Sequence, residues 1–110
     1  MTDLSHQHCI TPAEGLQALD TKQAETLLSQ VDDWELDVDS GSLQREFSFD
    51  NFYQTIAFVN ALAWIANRED HHPDLEVGYK RCLVRYTTHA VGGLSQNDFI
   101  CAARIDALHR

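Results

Sequence analysis

The sequence contains few of the residues that mark disulfide-rich, fibrous or disordered chains. Two prolines and five glycines are too few for a collagen-like or low-complexity protein. The three cysteines, Cys9, Cys82 and Cys101, are odd in number, and no two of them have Cys-x-x-Cys spacing. The number and spacing of the cysteines therefore predict neither a disulfide framework nor a zinc ribbon.

Basic side chains and long apolar runs are also scarce. Lys and Arg number 8 against 17 Asp and Glu, which gives a net charge of −9 with neutral His. Such a chain repels nucleic acid and anionic lipid, so we expect neither as a partner. No apolar stretch approaches the roughly 20 residues that span a bilayer, and residues 1–9 show no signal-peptide pattern. We therefore expect a cytoplasmic protein that acts on a neutral or weakly charged small molecule.

What the sequence does contain is enough apolar material for one folded domain. Its 110 residues are 44% hydrophobic, which suits a single globular domain and is too short for two. Residues 1–20 carry little periodicity, and we predict them to be a flexible N-terminal segment. Residues 21–110 then form the single domain.

Hydrophobic periodicity predicts three helices and four strands in this domain. The helices are expected at 21–31, at 51–67 and from Ser95 onward, and the strands at 34–38, 43–49, 75–79 and 81–89. Strand pairs separated by single helices predict an α+β fold, with a four-stranded antiparallel sheet and about three helices packed on one face. The opposite face is then covered by loops, by solvent or by a second copy of the chain, so self-association fits this architecture.

Four polar residues lie where loops and element ends could form a site. His71 and His72 follow the long helix, His89 ends a strand, and Asp98 lies in the first turn of the last helix. Histidine gives and takes protons near neutral pH, and an acidic partner fixes its tautomer. Each residue alone also has a structural explanation, such as a loop feature, a strand end or a favourable interaction with the helix dipole.

A metal site is the main alternative for these residues. Three His and one Asp could suit zinc or iron, but side chains on neighbouring residues such as His71 and His72 often diverge. His6, His8 and Cys9 are closely spaced, yet they lie in the segment predicted to be flexible. We therefore expect no metal and no other cofactor.

The spacing of several motifs resembles that of the pterin-4a-carbinolamine dehydratase family. The matching series is Asp70-His71-His72-Pro73, Tyr79, Thr88-His89, Gly93-Leu94-Ser95 and Asn97-Asp98, and the resemblance covers about residues 20–108. It implies a helix-covered four-stranded sheet, a homodimer or homotetramer, and dehydration of a 4a-hydroxytetrahydropterin without a cofactor. Many members carry an acidic residue four places before the first His, where this chain has Asn67.

The resemblance also implies roles for individual residues. It assigns catalysis to His71, His72 and His89, with Asp98 as their acidic partner. The residues assigned to pterin binding are Asp70, Pro73, Tyr79, Thr88 and Trp34, although aromatic residues such as Trp34 and Tyr79, taken alone, are more often part of a core or a sheet surface. Our hypothesis is that His71 and His89 exchange protons with the substrate, that His72 holds the pterin and that Asp98 orients His89.

Two other functions compete with this one. The chain could be a protein-binding or regulatory module, because the family includes dimerisation cofactors of a transcription factor; the presence of all three histidines favours the enzyme. It could also act on a molybdopterin-related compound. The phosphate of such a compound fits poorly with a net charge of −9.

Overall fold

The computed structural model describes residues 3–37 and 39–109. In chain order the elements are α1 (Thr21–Leu28), β1 (Glu35–Asp37), β2 (Ser42–Ser48), α2 (Phe52–Glu69), β3 (Asp74–Val77), β4 (Arg81–Tyr86) and α3 (Gln96–His109). Three short 3-10 turns lie at Leu4–His6, Pro12–Glu14 and His89–Val91. No helix in the described ranges is long and apolar enough to cross a membrane.

The four strands form one antiparallel sheet in the order β1-β2-β4-β3. Alternation along the strands gives the sheet one apolar and one polar face. The side chains that the central strands bury against the helices are Leu43, Phe47, Cys82, Val84 and Tyr86. The opposite face carries Gln44, Glu46 and Arg85, among others. The predicted α+β class, with three helices on one face of a four-stranded sheet, is confirmed.

The helix ends follow capping chemistry. Asn51 is the N-cap of α2: its side-chain oxygen accepts a hydrogen bond from the Gln54 N–H at 2.8 Å. In α1 the cap is Asp20 and not Thr21 as predicted: the Asp20 carboxylate accepts from the Gln23 N–H, and the Gln23 side chain accepts from the Asp20 N–H. Both long helices were placed correctly, although α2 continues two residues beyond its predicted end at residue 67.

Several predicted strand ends differ from the structure. Trp34 precedes β1, and Tyr79 lies in the turn between β3 and β4. Strand β4 ends at Tyr86 and does not reach His89, because the Thr88 backbone pairs instead with Gly93, with N···O distances of 3.0 and 3.3 Å. Val38, predicted to end the first strand, lies outside the described residues.

A buried ion pair joins the first hairpin to the last helix. The Asp106 carboxylate accepts hydrogen bonds from Trp34 Nε1, from Arg45 and from the Asp32 N–H, each at 2.8 Å. The Arg45 guanidinium also lies 4.3 Å from the centre of the Phe47 ring. Burial raises the pKa of Asp106, although these three donors oppose that shift. The network fixes the position of Trp34 against α3.

The described residues before α1 make defined contacts with the domain. Leu4 belongs to the hydrophobic core, and Leu16 is buried as well. We call residues 7–10 the N-terminal strap, because they cross the end of α2 and the start of α3. The predicted domain boundary at residue 20 stays a prediction.

Candidate active site

The two adjacent histidines point in different directions because of the way α2 ends. Asp70 closes the helix in the left-handed conformation, with φ 50° and ψ 44°, and the His71 N–H donates back to the Ala66 carbonyl at 3.0 Å. Pro73 then prevents a return to helix at the residue before it. The His71 side chain is mostly buried, whereas His72 is exposed.

His71 and Asp98 form the closest acid–base contact of the predicted site. Nε2 of His71 lies 2.6 Å from Oδ1 of Asp98, whose side chain is 0% exposed. A carboxylate only accepts hydrogen bonds, so Nε2–H is the donor, and in the neutral imidazole Nδ1 then carries the lone pair. The other carboxylate oxygen accepts from the Ser95 N–H and from the Thr88 hydroxyl, each at 2.9 Å. Asp98 is thus held firmly, and it sets both the tautomer and the direction of the imidazole.

Tyr86 supports the same histidine from the sheet. Its ring stacks on His71 with centroids 5.0 Å apart, and its hydroxyl donates to the His71 carbonyl at 3.2 Å. Burial raises the pKa of Tyr86 far above its ordinary value, and the neighbouring Cys101 raises it further. The phenol therefore stays neutral and keeps its hydrogen-bond donor. Sequence reasoning missed this residue, although its place on the strand two residues before Thr88 is a usable signal.

His72 has a neutral partner. Its Nε2 lies 3.1 Å from Oδ1 of Asn67, one turn back on α2. Both side chains are exposed, so His72 lies at the surface, where a bound molecule could meet it. Asn67 occupies the position that is acidic in many members of the resembled family, and here it supplies an amide oxygen instead.

His89 lies next to this network without joining its central hydrogen bond. Side-chain direction continues to alternate after β4. Thr88 therefore points inward to Asp98, while His89 is exposed at the start of the 3-10 turn. The hypothesis that Asp98 orients His89 is therefore corrected: the carboxylate contacts His71. Thr88 and His71 share one carboxylate, so His89 follows directly in the chain after a residue of this network.

The predicted pterin-binding residues fall into two groups. Asp70 and Pro73 belong to the same loop as His71, and Thr88 bonds the same carboxylate. Trp34 is buried against Asp106. Asp106 lies eight residues after Asp98 on α3, which is about 12 Å along the helix.

Tyr79 is exposed and stacks on Phe52 at the β3–β4 turn, the far end of β4 from Tyr86. The structure thus does not bring Trp34 or Tyr79 to the histidines. Within the described ranges no three His, Cys, Asp or Glu side chains are grouped closely enough to hold a metal ion. The arrangement as a whole can transfer protons, and the assigned roles stay predictions.

Fold and site together describe a small α+β protein in which one histidine, His71, is held beside a buried carboxylate in an arrangement suited to acid–base chemistry. Residues 17–108 match the sequence model of the family described as pterin 4 alpha carbinolamine dehydratase. The chain belongs to this family.

Relatives of similar length support the assignment. A protein of Legionella pneumophila strain Corby, provisionally named a pterin-4-alpha-carbinolamine dehydratase, is 56% identical over 97% of this chain and 96% of its own. A protein of Nitrosospira multiformis with the same provisional name is 54% identical, over 96% of this chain and 92% of its own.

Two solved structures share the fold. A crystal structure of a transcriptional coactivator/pterin dehydratase from Brucella melitensis superimposes with a TM-score of 0.81 at 26% identity, covering 84% of this chain and 98% of that one. A pterin dehydratase-like protein identified as a RuBisCO assembly factor in the alpha-carboxysome gives a TM-score of 0.61 at 27% identity, over 70% and 89% of the two chains. Names in this family thus include both enzyme and protein-binding roles.

Proposed function

We propose that this protein is a 4a-hydroxytetrahydropterin dehydratase, a hydro-lyase that releases water and yields the quinonoid dihydropterin. The observation that carries the proposal is the 2.6 Å contact between His71 and the buried Asp98. In the neutral imidazole this contact leaves Nδ1 able to accept a proton. The ring itself is held between Asp98 of α3 and Tyr86 of β4. The family membership and the provisional names of its relatives support the same activity.

The reaction asks for little beyond well-placed proton donors and acceptors. In the substrate the leaving hydroxyl shares a carbon with a ring nitrogen, whose lone pair can expel the hydroxyl. The enzyme must protonate the departing oxygen and remove the proton from the ring N–H. Each positioned acid or base contributes about 10²–10⁴-fold, so two histidines can account for a large acceleration of a reaction that also proceeds unaided.

The geometry suggests a division of roles among the histidines. His71 and His89 transfer the protons, and the exposed His72 contacts the pterin. Asp98 orients His71 and stabilises the positive charge that its ring gains on accepting a proton. Thr88 and Ser95 keep Asp98 in place by donating to its second oxygen.

The direct test is stopped-flow absorbance with freshly generated 4a-hydroxytetrahydropterin. We expect the purified protein to accelerate the appearance of the quinonoid product in proportion to its concentration. His6→Ala serves as a histidine control outside the site and should retain the wild-type rate. A folded wild-type protein that leaves the spontaneous rate unchanged would refute the dehydratase assignment.

We also propose that the protein acts as a homodimer or homotetramer in the cytoplasm. The solvent side of α2 exposes Phe52, Tyr53 and Trp64, of which Tyr53 is 83% and Trp64 62% exposed. Large exposed aromatic side chains on one helix are typical of an interface. The three cysteines are free thiols, as suits a reducing compartment.

Sedimentation equilibrium tests the oligomer. We expect a dimer or tetramer for the wild type and a shift to monomer in the Tyr53→Glu/Trp64→Glu variant. The matched change Glu25→Gln on the exposed side of α1 should leave the mass unchanged. A monomeric wild type at micromolar concentration would contradict the proposed assembly.

A protein-binding role is the second candidate. The same exposed face of α2 favours it, and the Brucella melitensis relative is named a coactivator as well as a dehydratase. An acidic protein with this face would recruit a protein and not a nucleic acid. Absence of acceleration in the stopped-flow assay, together with an intact oligomer, would favour this candidate.

A further inference from the structure

The N-terminal strap, residues 7–10, lies outside the segment that matches the family model, which begins at residue 17. It nevertheless contacts residues directly beside the candidate active site. Glu69 lies two positions before His71, and Asn97 lies one position before Asp98. The strap bonds to both residues. It therefore connects the end of α2 with the start of α3, next to the two residues that form the closest acid–base contact.

The first attachment is at Glu69. Its side chain is 2% exposed at the C-terminal end of α2, where the helix dipole disfavours a negative charge. The Cys9 N–H donates to Oε1 at 2.7 Å, and Nδ1 of His8 lies 3.0 Å from Oε2. Burial alone would raise the pKa of Glu69, but the Cys9 N–H, His8 and Arg104 outweigh it and lower the pKa below its usual value. A buried carboxylate at this position is stabilised by what the strap donates.

The second attachment is at Asn97 in the first turn of α3. Its side-chain oxygen accepts from the Ile10 N–H at 3.1 Å, and its side-chain nitrogen donates to the Ile10 carbonyl at 2.8 Å. One amide therefore satisfies both backbone groups of a single strap residue, much as a neighbouring strand would. Arg104 adds a third connection by donating to the Gln7 carbonyl.

The two attachments have a geometric consequence for the site. His71 belongs to the loop after α2 and Asp98 to the start of α3, so their 2.6 Å separation depends on how those two helix ends lie relative to each other. Because the strap bonds to Glu69 on one side and Asn97 on the other, it resists their separation. Without it, the contact between imidazole and carboxylate would lengthen.

We propose that the strap is a positioning element of the active site, and that Glu69 and Asn97 are positioning residues that act through His71 and Asp98. The inference rests on the proposed dehydratase function for its kinetic consequence, but its structural part stands without it. Misplacing a catalytic group by a fraction of the contact distance costs up to about 10²-fold in rate. The strap thereby controls the rate without touching the substrate.

The test compares three variants by NMR and by kinetics. Asn97→Ala removes both bonds to Ile10, and Glu69→Ala removes the acceptor of the Cys9 N–H together with the charge that His8 and Arg104 meet. Gln96→Ala is the matched control, because it removes a bond from α3 to Gln7 at the exposed side of the strap and leaves both attachments intact. Circular dichroism confirms that each variant is folded.

In wild type and in Gln96→Ala we expect the Nε2 proton of His71 to give a downfield imidazole resonance protected from exchange with water. In Asn97→Ala and Glu69→Ala we expect that resonance to be lost. The turnover number kcat should fall by about 10- to 100-fold with little change in KM. A merely structural role for the strap would lower the unfolding temperature but leave the resonance and kcat of the folded protein unchanged.

The outcomes separate this proposal from the proposed function. If the resonance persists in both folded variants, the strap does not position His71, whatever the kinetics show. If the resonance is lost as expected but the wild type has no dehydratase activity, the dehydratase assignment fails and the strap still orders the histidine. Should one of the two variants not fold, the other decides the question by the same resonance.

Discussion

Replacing both His71 and His89 by alanine is expected to remove the dehydratase activity almost completely. His71 is the histidine whose tautomer Asp98 fixes, and His89 is the exposed one beside Thr88. Each acid or base contributes about 10²–10⁴-fold, so the double variant should approach the spontaneous rate while each single variant retains part of the acceleration. Stopped-flow absorbance with 4a-hydroxytetrahydropterin measures all three.

The control for this experiment is His6→Ala, which removes a histidine outside the site. It should retain the wild-type rate, and unfolding curves should show that the double variant is still folded. A folded double variant that turns over at the wild-type rate would overturn the assignment of proton transfer to these histidines. Loss in His71→Ala but not in His89→Ala would leave His71 alone with this role.

Replacing Asp106 by alanine is expected to destabilise the fold by about 3–5 kcal/mol, because it leaves a buried cation without its partner. Arg45 is mostly buried and its only other carboxylate contact among the described residues is Asp33 at 3.9 Å. The change also leaves the buried indole N–H of Trp34 without its acceptor, which adds the cost of an unsatisfied donor. Urea unfolding followed by tryptophan fluorescence measures the loss.

Asp33→Asn is the matched control for the ion pair, because Asn removes the charge and tolerates the left-handed backbone of this residue, φ 58°. Its side chain is 87% exposed, and exposed pairs contribute about 0–1 kcal/mol, so its stability should stay close to that of the wild type. An Asp106→Ala protein as stable as Asp33→Asn would show that the buried network contributes nothing net to folding. Asp106→Asn should fall between the two, because it keeps an acceptor and loses the charge.

The fold was predictable wherever side-chain periodicity is strong. The long apolar stripe of α2 and the alternation in β2 and β4 were enough to give the order and type of the main elements. Ends were harder: Asp20 and not Thr21 caps α1, and β4 stops before Thr88 because that residue pairs with Gly93. Such ends depend on hydrogen bonds between segments, which periodicity does not reveal.

The site was predictable as a set of residues but not as a set of contacts. Motif spacing indicated His71 and Asp98, yet not that the carboxylate faces His71 instead of His89. The sequence also did not reveal that Tyr86 stacks on His71 or that Glu69 receives the strap. Each of these contacts joins positions far apart in the chain, so only the packed fold brings them together.

The bond between Trp34 and Asp106 also constrains the order of events during biosynthesis. The two residues are 72 positions apart in the chain. Because ribosomes add about 5–20 residues per second, Asp106 is added on the order of several seconds after Trp34. Throughout that interval α3, which carries the acceptor, is incomplete. Closure of this side of the core is thus a late step, which a nascent chain stalled before α3 would not reach.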